Sequence, residues 1–467
     1  MSAMAGTLRP ARLGVETLAV HGAAVLIWIL ALWHSWLARG LFSDGSAELL
    51  YMMENGGYAL FYDSRQTLMA LTQTPAAAAI LLGVTDSEIL ARLLSAGLFF
   101  VPTAYYHACL LRARHDPALL GAVLCAIAVI FMPTSFFIAG EYNTILPAVL
   151  FVTLVVATAE RPTIGDAILL LATATMLLRS YETMVIYGPL LAGLVLWRLR
   201  PDGWRSMAGL GQGLAALLFL ASAGCAVQSL LNPSDRSHVE ASLVGIGLFW
   251  TNLQFVLPLA AFTLVVAAAL LTPRLLEQWP LYFVAGVLLV AVSLCPLLWL
   301  SDGSMRPYPK AHYHSRLVAG AVMGAIAIAV WLYMHRPRWS PRCLVLLSQP
   351  ANGRKWLLFG LAALLAGLPA DLLLSELWRR SLVEFQATIA ARPGLIAVEA
   401  TALSREPWRH FVEDWALPSE SRVLRHAPTD GIVLAPAGHV GWLFFDGRRP
   451  EPATADRFLW RDGGNPR

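Results

Sequence analysis

Asp44, Glu48 and Glu54 stand in "GLFSDGSAELLYMMENGG" (40–57), directly after the first long apolar run of the chain. Further charges gather in short stretches between later apolar runs. Glu141 lies in "IAGEYN", Arg179 and Glu182 in "LLRSYETM", and Lys310, His312, Tyr313, His314 and Arg316 in "PKAHYHSRLV". Carboxylates in such company serve as a general base or as ligands of a divalent cation, while Arg and Lys bind phosphate. The sequence carries no nucleophile motif, no phosphate-cradling glycine loop and no metal-type His spacing. The five cysteines fall in or beside apolar runs without a shared spacing, so neither a disulfide framework nor a zinc site is expected.

The elements that would position these residues are membrane spans. The 467 residues are 57% hydrophobic and 14% charged, with a mean hydropathy of +0.60. That composition indicates a polytopic membrane protein. No basic stripe with interleaved aromatics occurs, so nucleic acid is not an expected partner. Runs long enough to cross a bilayer lie at 15–38, 89–111, 118–139, 144–159, 207–231, 248–271, 280–300, 317–335 and 356–375. The stretch 163–198 is too long for one span and is broken by Arg179-Ser180-Tyr181-Glu182, which gives two short spans. The expectation is about eleven spans. The run 15–38 is too long for a signal-peptide core and reads as a retained span.

Charge bias orients them. With the N-terminus inside, Arg112, Arg114, Arg161, Arg198, Arg200, Arg205 and Arg274 fall in inner loops, as does the Arg336–Lys355 cluster. Residues 67–84 then form an interfacial or re-entrant helix of the first outer loop. The outer stretches are 39–88, 140–143, 179–182, 232–247, 301–316 and the tail 376–467. The helix at 44–55 places Asp44, Glu48, Tyr51 and Asn55 on one stripe and is expected to lie in the membrane interface, carboxylates toward water. In the tail, "GLIAVEAT", "GIVLAPAG" and "GWLFFDG" read as strands and "EPWRHFVEDW" as a helix. The fold class is therefore an all-α polytopic membrane domain (1–375) followed by a small α+β extramembrane domain (376–467).

The order of these features resembles that of GT-C-type glycosyltransferases, the aminoarabinose transferases of lipid A and their protein O-mannosyltransferase relatives. "TQTPAAAAILLGVTDSEILARLLS" (72–95) resembles their segment in which a proline follows the acidic loop. "MLLRSYETMVIYGPLLAGLVLWRLR" (176–200) looks like their "tKGP" turn, and "KAHYHSRLVAG" (310–320) stands where they carry a basic, Tyr-containing loop. Two departures are visible: the acidic pair is Asp44-Gly45, and the "KPP/HPP" triplet is Thr74-Pro75-Ala76.

The resemblance implies a GT-C-like fold in a bacterial inner membrane, with a periplasmic active site. It implies a polyprenyl-phosphate sugar as donor and a glycan, lipid or protein as acceptor. Asp44 matches the acid that binds or deprotonates the acceptor, and Glu141 the acid of the second outer loop. Arg179 stands near the family lysine. Lys310, His312, Tyr313, His314 and Arg316 would recognise the donor phosphate. A divalent cation (Mg or Mn) on Asp44 and Glu141 is the one cofactor this reading admits. Structural roles compete at each position. Asp44 would cap its helix, Glu48 and Glu54 would be solvated, Arg179 and Glu182 would pair, Arg92 would snorkel, and Trp408, Trp415 and Trp442 would be core. A lipid or polysaccharide transporter, or a non-catalytic assembly protein, is the rival function.

Overall fold

The computed structural model describes residues 14–61, 64–132, 142–159, 161–199, 203–232, 279–293, 311–335, 348–405, 407–434 and 457–461, with scattered positions between 257 and 268. The described chain is mostly helical. In order come α1 (Val15–Trp36), α2 (Asp44–Asn55), α3 (Gln66–Leu81), α4 (Ser87–Ala113) and α5 (Pro117–Ala126), which runs on through a π turn to Phe131. Then follow α6 (Tyr142–Thr158), α7 (Ile164–Leu177), α8 (Met184–Arg198), α9 (Met207–Leu231), α10 (Trp279–Ser293), α11 (Ala311–His335) and α12 (Pro350–Ala391). A parallel strand pair, β1 (Leu395–Ala397) and β2 (Ile432–Leu434), flanks α13 (Leu417–Leu424).

Four of these helices, α1, α4, α9 and α12, are long and apolar enough to cross a membrane, and α5 to α8 and α11 are shorter apolar helices. Their starts are set by local chemistry. Asp86 accepts from the amides of Glu88 and Ile89, and Asp116 from those of Ala118 and Leu119, with Pro117 opening the helix. Small residues bring α5 and α12 together: a Cβ on Gly121 would meet the backbone of Trp356 at 2.8 Å. The outward faces remain apolar, as with Leu210, Leu214, Leu217 and Leu220 on α9.

The bundle has two unlike ends. At the basic end, Arg112 reaches Asp166 at 3.2 Å and Thr158 at 2.7 Å. Arg198 donates to the last carbonyls of α6, Val155 and Val156, as expected for a cation at a helix C-terminus. Tyr333 bonds Asp116, and Arg354 meets Glu16, so α1, α5 and α12 begin at this end. The opposite end is roofed. There a second hydrophobic core joins Phe42, Leu49 and Met53 to Trp378 and Phe385 of α12, and to Phe411, Leu417 and Val433 beyond it.

The sequence and the structure part company at three places. α12 continues sixteen residues past 375, because Trp378, Leu382, Phe385 and Ile389 keep a helical stripe that the second core buries. The described residues of 376–461 therefore share their core with those of 37–98. α11 begins at Ala311 instead of 317, since no helix breaker stands between Pro309 and Gly320. In the tail, "EPWRHFVEDW" forms only a single-turn 3₁₀ helix at Trp408–Phe411, and the α-helix is Leu417–Leu424, opened by Pro418. Most of the expected span 248–271, the stretch 133–141 and the strand "GWLFFDG" lie outside the described residues.

Candidate functional site

Asp44 is presented by a strained turn. After α1 ends, Ala38 takes φ +50°, a 3₁₀ turn covers Arg39–Leu41, and Ser43 takes φ +59° and ψ −121°. Both are conformations that residues with a Cβ avoid and that persist only where the surroundings over-determine them. The surroundings do so. Gly40 donates to Ser95 Oγ at 2.9 Å, and a Cβ on Gly45 would overlap the Gly40 carbonyl oxygen. Gly45 is therefore imposed by the fold of the turn. A second acid at that position has no room.

Asp44 is not the N-cap of α2. Ser43 occupies that position, and Asp44 opens the helix, half-buried, with its Oδ1 accepting from Trp415 Nε1 at 3.2 Å. Nor is α2 an interfacial helix with a wet face. Leu49, Met52 and Met53 are fully buried on one side, and Glu48 is only 5% exposed on the other. Gln73 of α3 donates to Glu48 at 2.6 Å and holds both backbone groups of Ala59. Glu54 is paired with Arg422 of α13 at 3.2 Å. The expectation of solvated carboxylates fails because α13 and Trp415 lie over α2 as a roof, which local periodicity does not reveal.

Arg179 is exposed in the α7–α8 turn. It donates to Gln66 at 2.7 Å, and its backbone exchanges bonds with Thr67, which pins the start of α3 to this turn. Glu182 pairs with Arg65 at 3.5 Å and with Ser64, not with Arg179. Arg65 lies over the ring of Tyr181 at 4.3 Å, and Tyr181 meets Tyr142 edge-on at 5.5 Å. Thr67 and Gln73 are six residues apart on α3, about 9 Å. The Arg179 turn and the Glu48 region therefore share the roofed end, although no contact joins Asp44 to Arg179 among the described residues.

Glu141 and Lys310 lie outside the described residues. The neighbour of Glu141, Tyr142, is 1% exposed and packs on Tyr181 with its hydroxyl beside Gly320 of α11. Tyr187 also donates to the Gly320 carbonyl at 2.6 Å. His312, Tyr313, His314 and Arg316 occupy the first turns of α11, one to two turns before Gly320. The backbone thus brings Gly320 of α11 and the Arg179 turn to one aromatic cluster. Arg92 does more than snorkel: it stacks over Trp36 at 3.9 Å and pairs with Glu88. Trp408 and Trp415 are half-buried, and Trp442 lies outside the described residues. No group of three His, Cys, Asp or Glu faces a common point among the described residues.

Two features escaped the sequence. Asp371 of α12 binds His34 at 2.7 Å and Arg39 at 3.0 Å, all at 3% exposure or less, and Arg39 also donates to Ser375 at 3.1 Å. The signal was present as an acid interrupting the apolar run 356–375. The second is Glu420 of α13, buried beside Glu413. Burial, and then the Glu413 carboxylate, push the Glu420 carboxyl up to about 8, so it is largely protonated at neutral pH. No family model, no curated protein and no solved structure matches this chain.

Proposed function

We propose that the protein is an integral inner-membrane glycosyltransferase of GT-C type, with about eleven spans, its basic end in the cytoplasm and its roofed end in the periplasm. It moves a sugar from a polyprenyl-phosphate donor to a periplasmic or lipid-linked acceptor. Asp44 takes the proton from the acceptor hydroxyl as that oxygen attacks the anomeric carbon. The bond from the anomeric carbon to the phosphate oxygen breaks on the opposite face, and configuration inverts. Polyprenyl phosphate leaves as an anion, and Arg179 with the basic start of α11 offsets its charge. A phosphate leaves without protonation, so one carboxylate suffices. Glu141 assists Asp44 or holds a divalent cation.

The observation that carries this reading is the over-determined turn before Asp44. Strained backbone of this kind is retained where a group must be held in a fixed direction. Arg bias at the other end supports the orientation. The buried His34–Arg39–Asp371 group is the one observation that favours a transporter, since ionisable residues within spans mark conduction paths. Its members, however, bind one another and are closed to water.

A deletion strain separates the two readings. Its lipid extract is expected to accumulate a polyprenyl-phosphate sugar, cleared by the wild-type gene and not by Asp44→Asn. Full clearance by Asp44→Asn would remove the catalytic role. Accumulation of an untransported glycan with no change in polyprenyl-phosphate sugar would favour transport.

A further inference from the structure

The strained turn before Asp44 and the buried ion pair behind it form one device. Arg39 lies within the turn, and its side chain runs inward to Asp371 and Ser375 of α12. Ser375 Oγ in turn donates to the Asp371 carbonyl at 2.7 Å, and His34 holds the second carboxylate oxygen. Trp378, one helical turn farther along α12, donates to the Leu37 carbonyl at 3.0 Å. Ser95 of α4 accepts from Gly40 on the other side. Thus the turn is fixed from two helices, and α12 supplies most of the fixing.

A buried ion pair is a poor source of stability, because desolvation offsets most of its attraction and apolar replacements of similar volume often do as well. What the pair supplies and apolar side chains do not is direction. The Arg39 guanidinium gives Nη1 to both a carboxylate and a hydroxyl and lies over the Phe99 ring at 5.8 Å, so its position is set by three side chains at once. We infer that Arg39, clamped by Asp371, is a positioning residue that fixes the 38–45 turn and with it the direction of the Asp44 carboxylate. The inference rests on the reading of Asp44 as the acceptor-side carboxylate. It adds that the accuracy of this group is set from a helix 332 residues away in sequence.

The test uses full-length protein in lipid nanodiscs and the double variant R39M/D371L, which removes both charges together and keeps the site filled. Amide hydrogen exchange at 40–46 is expected to rise about tenfold, with 20–32 and 356–368 still protected. In membranes of the deletion strain, clearance of the accumulated polyprenyl-phosphate sugar is expected to fall about a hundredfold, the scale of a misplaced reacting group. Arg39→Lys keeps the charge for Asp371 but loses the reach of Nη1 and the planar guanidinium over Phe99. It is expected to fall between the double variant and wild type in both measurements, a graded rescue that mere space-filling would not produce. Glu376→Gln, on the exposed side of α12, is the control and should change neither.

Unchanged exchange at 40–46 in a folded double variant would overturn the inference. If that variant does not fold, unchanged exchange in Arg39→Lys would overturn it equally. Raised exchange with undiminished clearance, while Asp44→Asn still abolishes clearance, would overturn the positioning role and leave Asp44 catalytic. If Asp44→Asn clears the sugar normally, the catalytic reading fails. The exchange data then still decide whether Arg39 holds the turn.

Discussion

Two Arg–Asp pairs stand at opposite ends of the bundle, Arg112 with Asp166 and Arg39 with Asp371. At the basic end, Arg112 keeps 30% of its side-chain surface exposed and has other acceptors in Thr158 and Val155. At the roofed end, Arg39 and Asp371 are 1% and 2% exposed. The first pair can lose a partner and turn to water or to helix-end carbonyls. The second cannot. The same two residue types thus close a helix end in one place and fix a backbone direction in the other, and burial makes the difference.

Breaking this contrast should show most at the roofed end. Asp371→Ala strips a buried guanidinium of its counter-charge and is expected to cost about 3–5 kcal/mol, read as a large fall in Tm in detergent. Asp44→Asn keeps the volume and can still accept from Trp415, so Tm should hold. Transfer should nevertheless fall about a hundredfold, the scale of a lost positioned base. A parallel fall in both would make Asp44 a packing residue.

The roof itself is expected to respond to pH. The folded value of Glu420, about 8, lies above its ordinary value of 4.5. The folded state therefore binds the extra proton between these values. The stability this contributes is fully present below about 4.5 and is lost as pH rises through about 8. The loss is expected as a fall in unfolding stability across that window, and Glu420→Gln should flatten it. The smallest effect belongs to Asp166→Ala, at most about 1 kcal/mol, because Arg112 retains its other bonds. A cost equal to that of Asp371→Ala would erase the distinction between the ends.

What could be read from the sequence divides along the same line. The apolar runs, the break at 179–182 and the short helix α3 were legible because each is a local pattern of the residues that form it. The position of Asp44 just past α1 was legible in the same way. Its setting was not. No period links Arg39 to Asp371, and Ser43 carries no residue-type signal for a positive φ. The pairing of Glu54 depends on Arg422 of α13, 368 residues downstream. Even the departure Asp44-Gly45 changes meaning once Gly40 is seen against it, from a missing acid to a close backbone approach.

The length of α12 has a mechanical consequence. Its 42 residues make a rod of about 63 Å, with its foot against α5 at the basic end and its head within the roof. Such a rod is a lever: a tilt of 5° at the foot would carry the head about 5 Å, given that length. Pro369 is the joint in this lever, since it lacks the amide that would bond the carbonyl of Leu365. The joint lies two residues before Asp371. Motion of the foot is therefore relieved just below the clamp, so the turn that carries Asp44 travels with the upper arm and the roof and is spared the bending beneath it.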